Sequence, residues 1–170
     1  MSTRASSAVP TDLVHRHERI GWWGLFVFAG VGLGLEVLHG WKVQAYLSAD
    51  HETRRLLWTL GHAHGVLLAL VHLSFAGTLA RRRTPLPRAG TIGALLVAAI
   101  VLLPGGFLAA GIDAEAGDPG LAIALVPVGA VSLLAALGLA ALGAGRGGSP
   151  LAAPGGGTAT TPSDGGARDG

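Results

Sequence analysis

Hydrophobic positions in this chain fall into four long runs, not into alternating or short amphipathic stretches. Ile20–Gly40, Leu56–Ala80, Thr91–Ile112 and Gly120–Leu142 each hold close to the about 20 residues that a helix rising about 1.5 Å per residue needs to cross a hydrocarbon core of about 30 Å. Three short polar segments separate them. The pattern predicts an all-α integral membrane protein, a four-helix bundle spanning residues 20–143, with a cytoplasmic segment at 1–19 and a tail at 144–170. The first run follows basic residues, as the core of a secretory signal would, but it is long for that role and no small-residue cleavage site follows it. It reads as a retained first span.

Composition agrees with burial in lipid. Of 170 residues, 50% are hydrophobic and 13% charged, against about 25% charged in soluble domains. Residues 145–170 are dominated by Gly, Pro, Ser and Thr. They cannot bury enough surface to offset ordering, so this tail and residues 1–12 are expected to be disordered. The chain has no cysteine, which removes disulfides, thiolate metal sites, CxxC redox pairs and prenyl or palmitoyl anchors. The excess of basic residues forms no stripe of the kind that binds nucleic acid.

Membrane topology accounts for the basic residues better. Arg4, Arg16, Arg19, Arg81, Arg82, Arg83, Arg88, Arg146 and Arg168 fall on one side of a four-span arrangement, and only Lys42, Arg54 and Arg55 on the other. Positive charge is retained on the cytoplasmic side, so both termini are expected inside. The strong preference for Arg over Lys fits a GC-rich bacterial genome, and the location expected is a bacterial inner membrane. Trp22 and Trp23 at one edge of the first span, and Trp41, Tyr46 and Trp58 near the other edge, fit headgroup anchoring. In the 41–55 segment, Ser48 or Asp50 can cap the second span, which is expected to start near Asp50.

Ionisable groups within a span cost about 2.5–3.5 kcal/mol at mid-membrane on insertion scales, so each calls for a partner or a purpose. Glu36 and His39, three apart, share one face of the first span. Glu-x-x-His is half of a di-iron carboxylate motif, but it occurs once here, with only Asp113 and Glu115 as further acids near that end. A bland alternative pairs Glu36 with Arg54 or Arg55. The second span carries Gly61-His62-Ala63-His64-Gly65, then His72. On a helix Gly61, Gly65, Ala69, His72 and Ala76 form one narrow stripe that a neighbouring helix can approach closely. His62 and His64 diverge by about 160° on its flanks. Over five residues this segment resembles histidine-bearing helices of haem-binding membrane oxidases; the remaining ligands have no counterpart, and no activity follows from it.

Depth brings these groups into one picture. Glu36, His62 and His64 lie about 6, 9 and 12 Å below the outer surface, and Pro104-Gly105-Gly106 and Pro127 lie about 11–12 Å below it. Proline frees a backbone carbonyl, so all four spans place a polar group or a break at similar depth. The expectation is a small polar cavity open to the outside, lined by Glu36, His39, His62 or His64 and the carbonyls at 104–106.

Three functional classes fit. The leading one is an accessory or structural subunit packed on other membrane helices, as a homo-oligomer or in a larger complex, with small-residue pairs such as Gly30 and Gly34 as packing faces. An alternative is a site for a transition metal or haem b. In that reading His39, His62 and His64 are the cofactor ligands, Glu36 adds a metal ligand, and His39 with His62 or His64 forms the haem pair. A second alternative is an oligomeric transporter or proton relay using Glu36 and His72. No phosphate loop, serine-nucleophile elbow or HExxH motif is present, and an enzyme is not expected.

Overall fold

A computed structural model describes residues 11–47, 52–82, 84–114 and 117–144. It is helical throughout these residues: α1 (Thr11–Gly40), a short α2 (Gln44–Leu47), α3 (Glu52–Arg81), α4 (Ala89–Ile112), a 3-10 turn (Leu121–Ala124) and α5 (Leu125–Ala144). Four helices, the last counted from Leu121, are long and apolar enough to cross a membrane. The expected cap residues Ser48 and Asp50, and the expected disordered tail, lie outside the described residues.

The helix that carries the first apolar run begins at Thr11, before Ile20, so residues 11–19 of the expected N-terminal segment are helical. α1 and α3 are each 30 residues long, or about 45 Å, which matches a bilayer with its headgroup regions at about 40–45 Å. Hydropathy falls where Arg16, Glu18 and Arg19 enter the sequence, but the helix does not stop there, because its inward face continues. Leu13 and Val14 pack on the cluster formed by Phe75, Leu79 and Ile92.

The helices are arranged as a row. α1 packs on α3, α3 on α4, and α4 on α5, while α1 touches α4 only slightly. In the apolar windows of α3 and α4, 39% and 44% of residues are buried, against 11% in each of α1 and α5. The middle of the row is therefore α3 and α4, and the outer two helices each offer a broad unpacked face.

Glycine notches set the register of this row. Along the α1–α3 seam, Gly21 faces Leu73, Gly24 faces Ala69, Gly65 faces the Phe28 ring and Gly32 faces His62. Three notches on α1 and one on α3 thus interlock the two antiparallel helices. Between α3 and α4, Gly61 admits Leu108 and Gly111 admits Trp58; between α4 and α5, Gly129 admits the Leu103 backbone. Lipid provides no hydrophobic drive for helices to associate, so close backbone approach and the dispersion contacts it brings must hold the row together.

At the end of the molecule holding Gly40 and Ile112, α3 caps α4. Arg54 Nε donates to Gly111 O (3.0 Å) and its terminal nitrogen to Ala114 O (3.3 Å), while Trp58 Nε1 donates to Leu108 O (3.2 Å). The Gly120 amide donates to Ala110 O (3.1 Å). Carbonyls of the last helical turn have no partner within the helix, and a cation there also suits the helix dipole. Arg55 donates to Tyr46 O (3.0 Å). Tyr46 is buried whereas Trp41 is 80% exposed, so of these two expected anchors only Trp41 is free to meet a headgroup.

Gly65→Val is expected to destabilise the protein by about 1–3 kcal/mol through overpacking on Phe28. Gly30→Ala, in open space on the same seam's outer helix, should be neutral or up to about 1 kcal/mol stabilising. Thermal unfolding in detergent distinguishes them, and equal effects would contradict the register described.

Candidate functional site

Two polar residues are completely buried among the described residues, His17 on α1 and His72 on α3. Their Nδ1 atoms lie 2.6 Å apart, within hydrogen-bond reach, and the rings stack with centroids 4.8 Å apart. Phe75 closes the pair from the side, edge-on to His17 at 4.9 Å. On its far side, His72 Nε2 is 3.2 Å from the carbonyl oxygen of Leu96 on α4.

The partners dictate the protons. A carbonyl only accepts, so His72 Nε2 carries hydrogen. With one proton on each ring, His72 Nδ1 is then an acceptor and His17 Nδ1 donates to it. One directional chain, His17 to His72 to Leu96, therefore ties three helices together. It leaves His17 Nε2 as a bare lone pair, buried and without a hydrogen-bond partner among the described residues. That nitrogen sits in the notch of Gly93, where a Cβ would lie 2.5 Å from it. An unmet buried acceptor costs about 1–3 kcal/mol, so the pair is held by the packing around it.

The residues singled out from sequence are placed differently. Glu36 and His39 are both exposed, near the far end of α1. His62 turns onto Gly32 of α1, and its Nδ1 is buried with no partner among the described residues. His64 turns the other way, donating from Nδ1 to Leu60 O (2.8 Å) and packing on Phe107 of α4 with ring centroids 5.3 Å apart. The divergence inferred from helical spacing is present, and it sends the two histidines to different neighbours. The structure does not gather Glu36, His39, His62 and His64, and no cluster of three or more metal-ligating side chains occurs among the described residues. Nothing in this arrangement supports a metal or haem site.

Of the helix breaks expected to open a cavity, Pro104 and Gly106 are buried, whereas a Cβ at Gly105 would meet nothing and Pro127 is exposed. α4 is continuous through Pro104, which is buried. Gly61 approaches the Pro104 carbonyl, and Gly106 meets Leu125 and Val126; Gly105 is half-buried. Pro127 lies in the first turn of α5, just past the 3-10 turn, where a missing amide costs least. The small-residue stripe of the second span fares better: Gly61, Gly65, Ala69, His72 and Ala76 are all buried.

No family model matches the chain, and no curated protein or solved structure matches it either.

His17 is the residue that sequence reasoning missed. Its signal was periodic: His17, Gly21, Gly24, Phe28 and Gly32 recur at three- and four-residue spacing and form the face of α1 that meets α3. A boundary at Ile20, drawn on hydropathy, cut that stripe.

His17→Leu alone strands His72 Nδ1, and His72→Leu alone strands His17 Nδ1, while the Leu96 carbonyl loses only its second hydrogen bond because it lies inside α4. The double variant removes both rings, so a double-mutant cycle on unfolding should show a coupling of about 0.5–3 kcal/mol. Additive effects would mean that the two rings do not share a proton.

Proposed function

We propose that this chain is a small accessory or structural subunit of a membrane assembly, with both termini cytoplasmic in a bacterial inner membrane. One observation carries the reading: the inward glycines of α1 are filled and the outward ones are not. Gly21, Gly24 and Gly32 each receive a side chain from α3, whereas Gly30 and Gly34 meet nothing. Around them, Trp23, Val27, Leu33 and Val37 are exposed. Where a notch serves contact within the chain it is occupied, so the empty pair on the same helix serves contact with a helix outside it, from a second copy or another subunit. The row supports the same role, since α1 and α5 are each covered on one side only.

A second reading, an oligomeric proton relay, draws support from the His17–His72–Leu96 chain. Within one molecule it does not extend to Glu36, which is about 28 Å further along α1. Proton flux into liposomes that is lost in His72→Ala would favour it, and absence of wild-type flux would remove it.

The absence of native cysteine makes the subunit reading directly testable. Gly34→Cys in native membranes should give an oxidative or bifunctional cross-link of one defined mass, while Gly24→Cys on the inward face should give none. The cross-link should fade when Gly30→Leu is added, with unfolding unchanged. Equal adducts from both faces, or none from Gly34→Cys in membranes where the protein runs as a monomer, would overturn the proposal.

A further inference from the structure

At the Arg81–Arg88 end, the row leaves an opening between α3 and α5. These two helices do not form a packed seam; α4 lies between them and floors the gap with Ile92 and Leu96. The result is a pocket of about 180 Å3 whose walls include Phe75, Ala136 and Ala140, with Arg82 at its edge. Its lining is mostly apolar: Ser74, Thr78 and Arg82 are the polar side chains in it, and the Thr78 hydroxyl is committed to Ser74 O at 2.8 Å. An ordered water needs two to four polar partners, and the walls formed by Val71, Phe75, Ile92, Leu96, Ala136 and Ala140 offer none. A helix, about 10–12 Å across, is too wide for it. Hydrocarbon fits it.

Arg82 supplies the second half of the argument. It follows the last residue of α3, at the level where the chain leaves the apolar region, and its Nε is buried without a hydrogen-bond partner among the described residues. A buried guanidinium nitrogen lacking an acceptor is costly, and its planar fork suits a phosphate. We propose that this pocket binds one anionic phospholipid, with an acyl chain on Ile92, Leu96 and Ala140 and the phosphate on Arg82. Charge selects the headgroup, and the apolar walls make the ligand a lipid and not a free anion. Arg81, adjacent but exposed and outside the pocket lining, provides an internal comparison.

The test is native mass spectrometry of the detergent-purified full chain titrated with phosphatidylglycerol, phosphatidylcholine or inorganic phosphate. Wild type should retain one phosphatidylglycerol in preference to phosphatidylcholine and no free phosphate. Arg82→Gln should lower that preference about fivefold, the effect of about one interfacial cation, whereas Arg81→Gln leaves it unchanged. Ala140→Phe, which fills the pocket and keeps Arg82, should reduce retention of both lipids. Equal retention of the two lipids by wild type would overturn the proposal. So would an unchanged preference in Arg82→Gln, or an equal loss in Arg81→Gln, which would reveal only general attraction to a basic segment.

Discussion

The close approach of α1 to α3 is the constraint on which the other features of the molecule depend. In hydrocarbon a leucine-lined helix gains little by meeting another, because lipid tails are just as apolar. What distinguishes a protein neighbour from lipid is a complementary surface, and here that surface is cut by three glycines on α1 and one on α3. Gly65 accepts Phe28, and Gly21, Gly24 and Gly32 accept Leu73, Ala69 and His62. Once this register is set, His17 comes opposite His72, and the two can share a proton away from water. The polar chain is thus a consequence of the packing, and it adds direction to it: imidazole nitrogens work only when each faces its own partner.

The same register explains why the most chemically suggestive sequence motif does not build a site. In Gly61-His62-Ala63-His64-Gly65 the glycines do the positioning, one toward α4 and one toward α1. The histidines between them are carried to the two flanks. Each is then used locally, His64 against its own helix backbone and Phe107, His62 over Gly32. A ligand shared by both would require one of them to reverse its direction from the helix. Charge at the Gly40 and Ile112 end is similarly structural. Arg54 bonds to the carbonyls of Gly111 and Ala114, at and just past the end of α4.

Much of this was legible in the sequence, and the exceptions share a cause. Four spans, their approximate ends from Leu56 onward and the small-residue face of the second span follow from run length and helical period. α1 continues back to Thr11, before the apolar run; hydropathy averages over all faces, so Arg16, Glu18 and Arg19 mask an inward stripe that passes through His17. The residues expected to line one cavity are dispersed for a related reason. Depth along a helix can be counted from sequence, but azimuth relative to neighbours depends on which seam each face joins. Glu36 and His62 share a depth without sharing a seam, and Pro104 at that level is buried by helices that approach too closely to leave a gap.

Why the helices form a row and not a closed ring can be traced to where the notches lie. α3 is notched toward both neighbours, with Gly65 for α1 and Gly61 for α4. α4 is notched toward three helices, through Gly93 to α1, Gly111 to α3 and Gly106 to α5. α5 offers Gly129 to α4 and Gly143 to Leu86, just before α4, while Gly138 meets nothing. α1 spends three glycines on α3 and keeps Gly30 and Gly34 on the opposite side. To close a ring, α1 and α5 would have to present notches to each other, and neither does so among the described residues. Two consequences follow from this one arrangement of small residues. The outer faces of α1 and α5 are left without partners among the described residues, and the gap between α3 and α5 opens beside Arg82, just past the end of α3. The features that look least finished in the isolated molecule therefore lie where the row meets its surroundings.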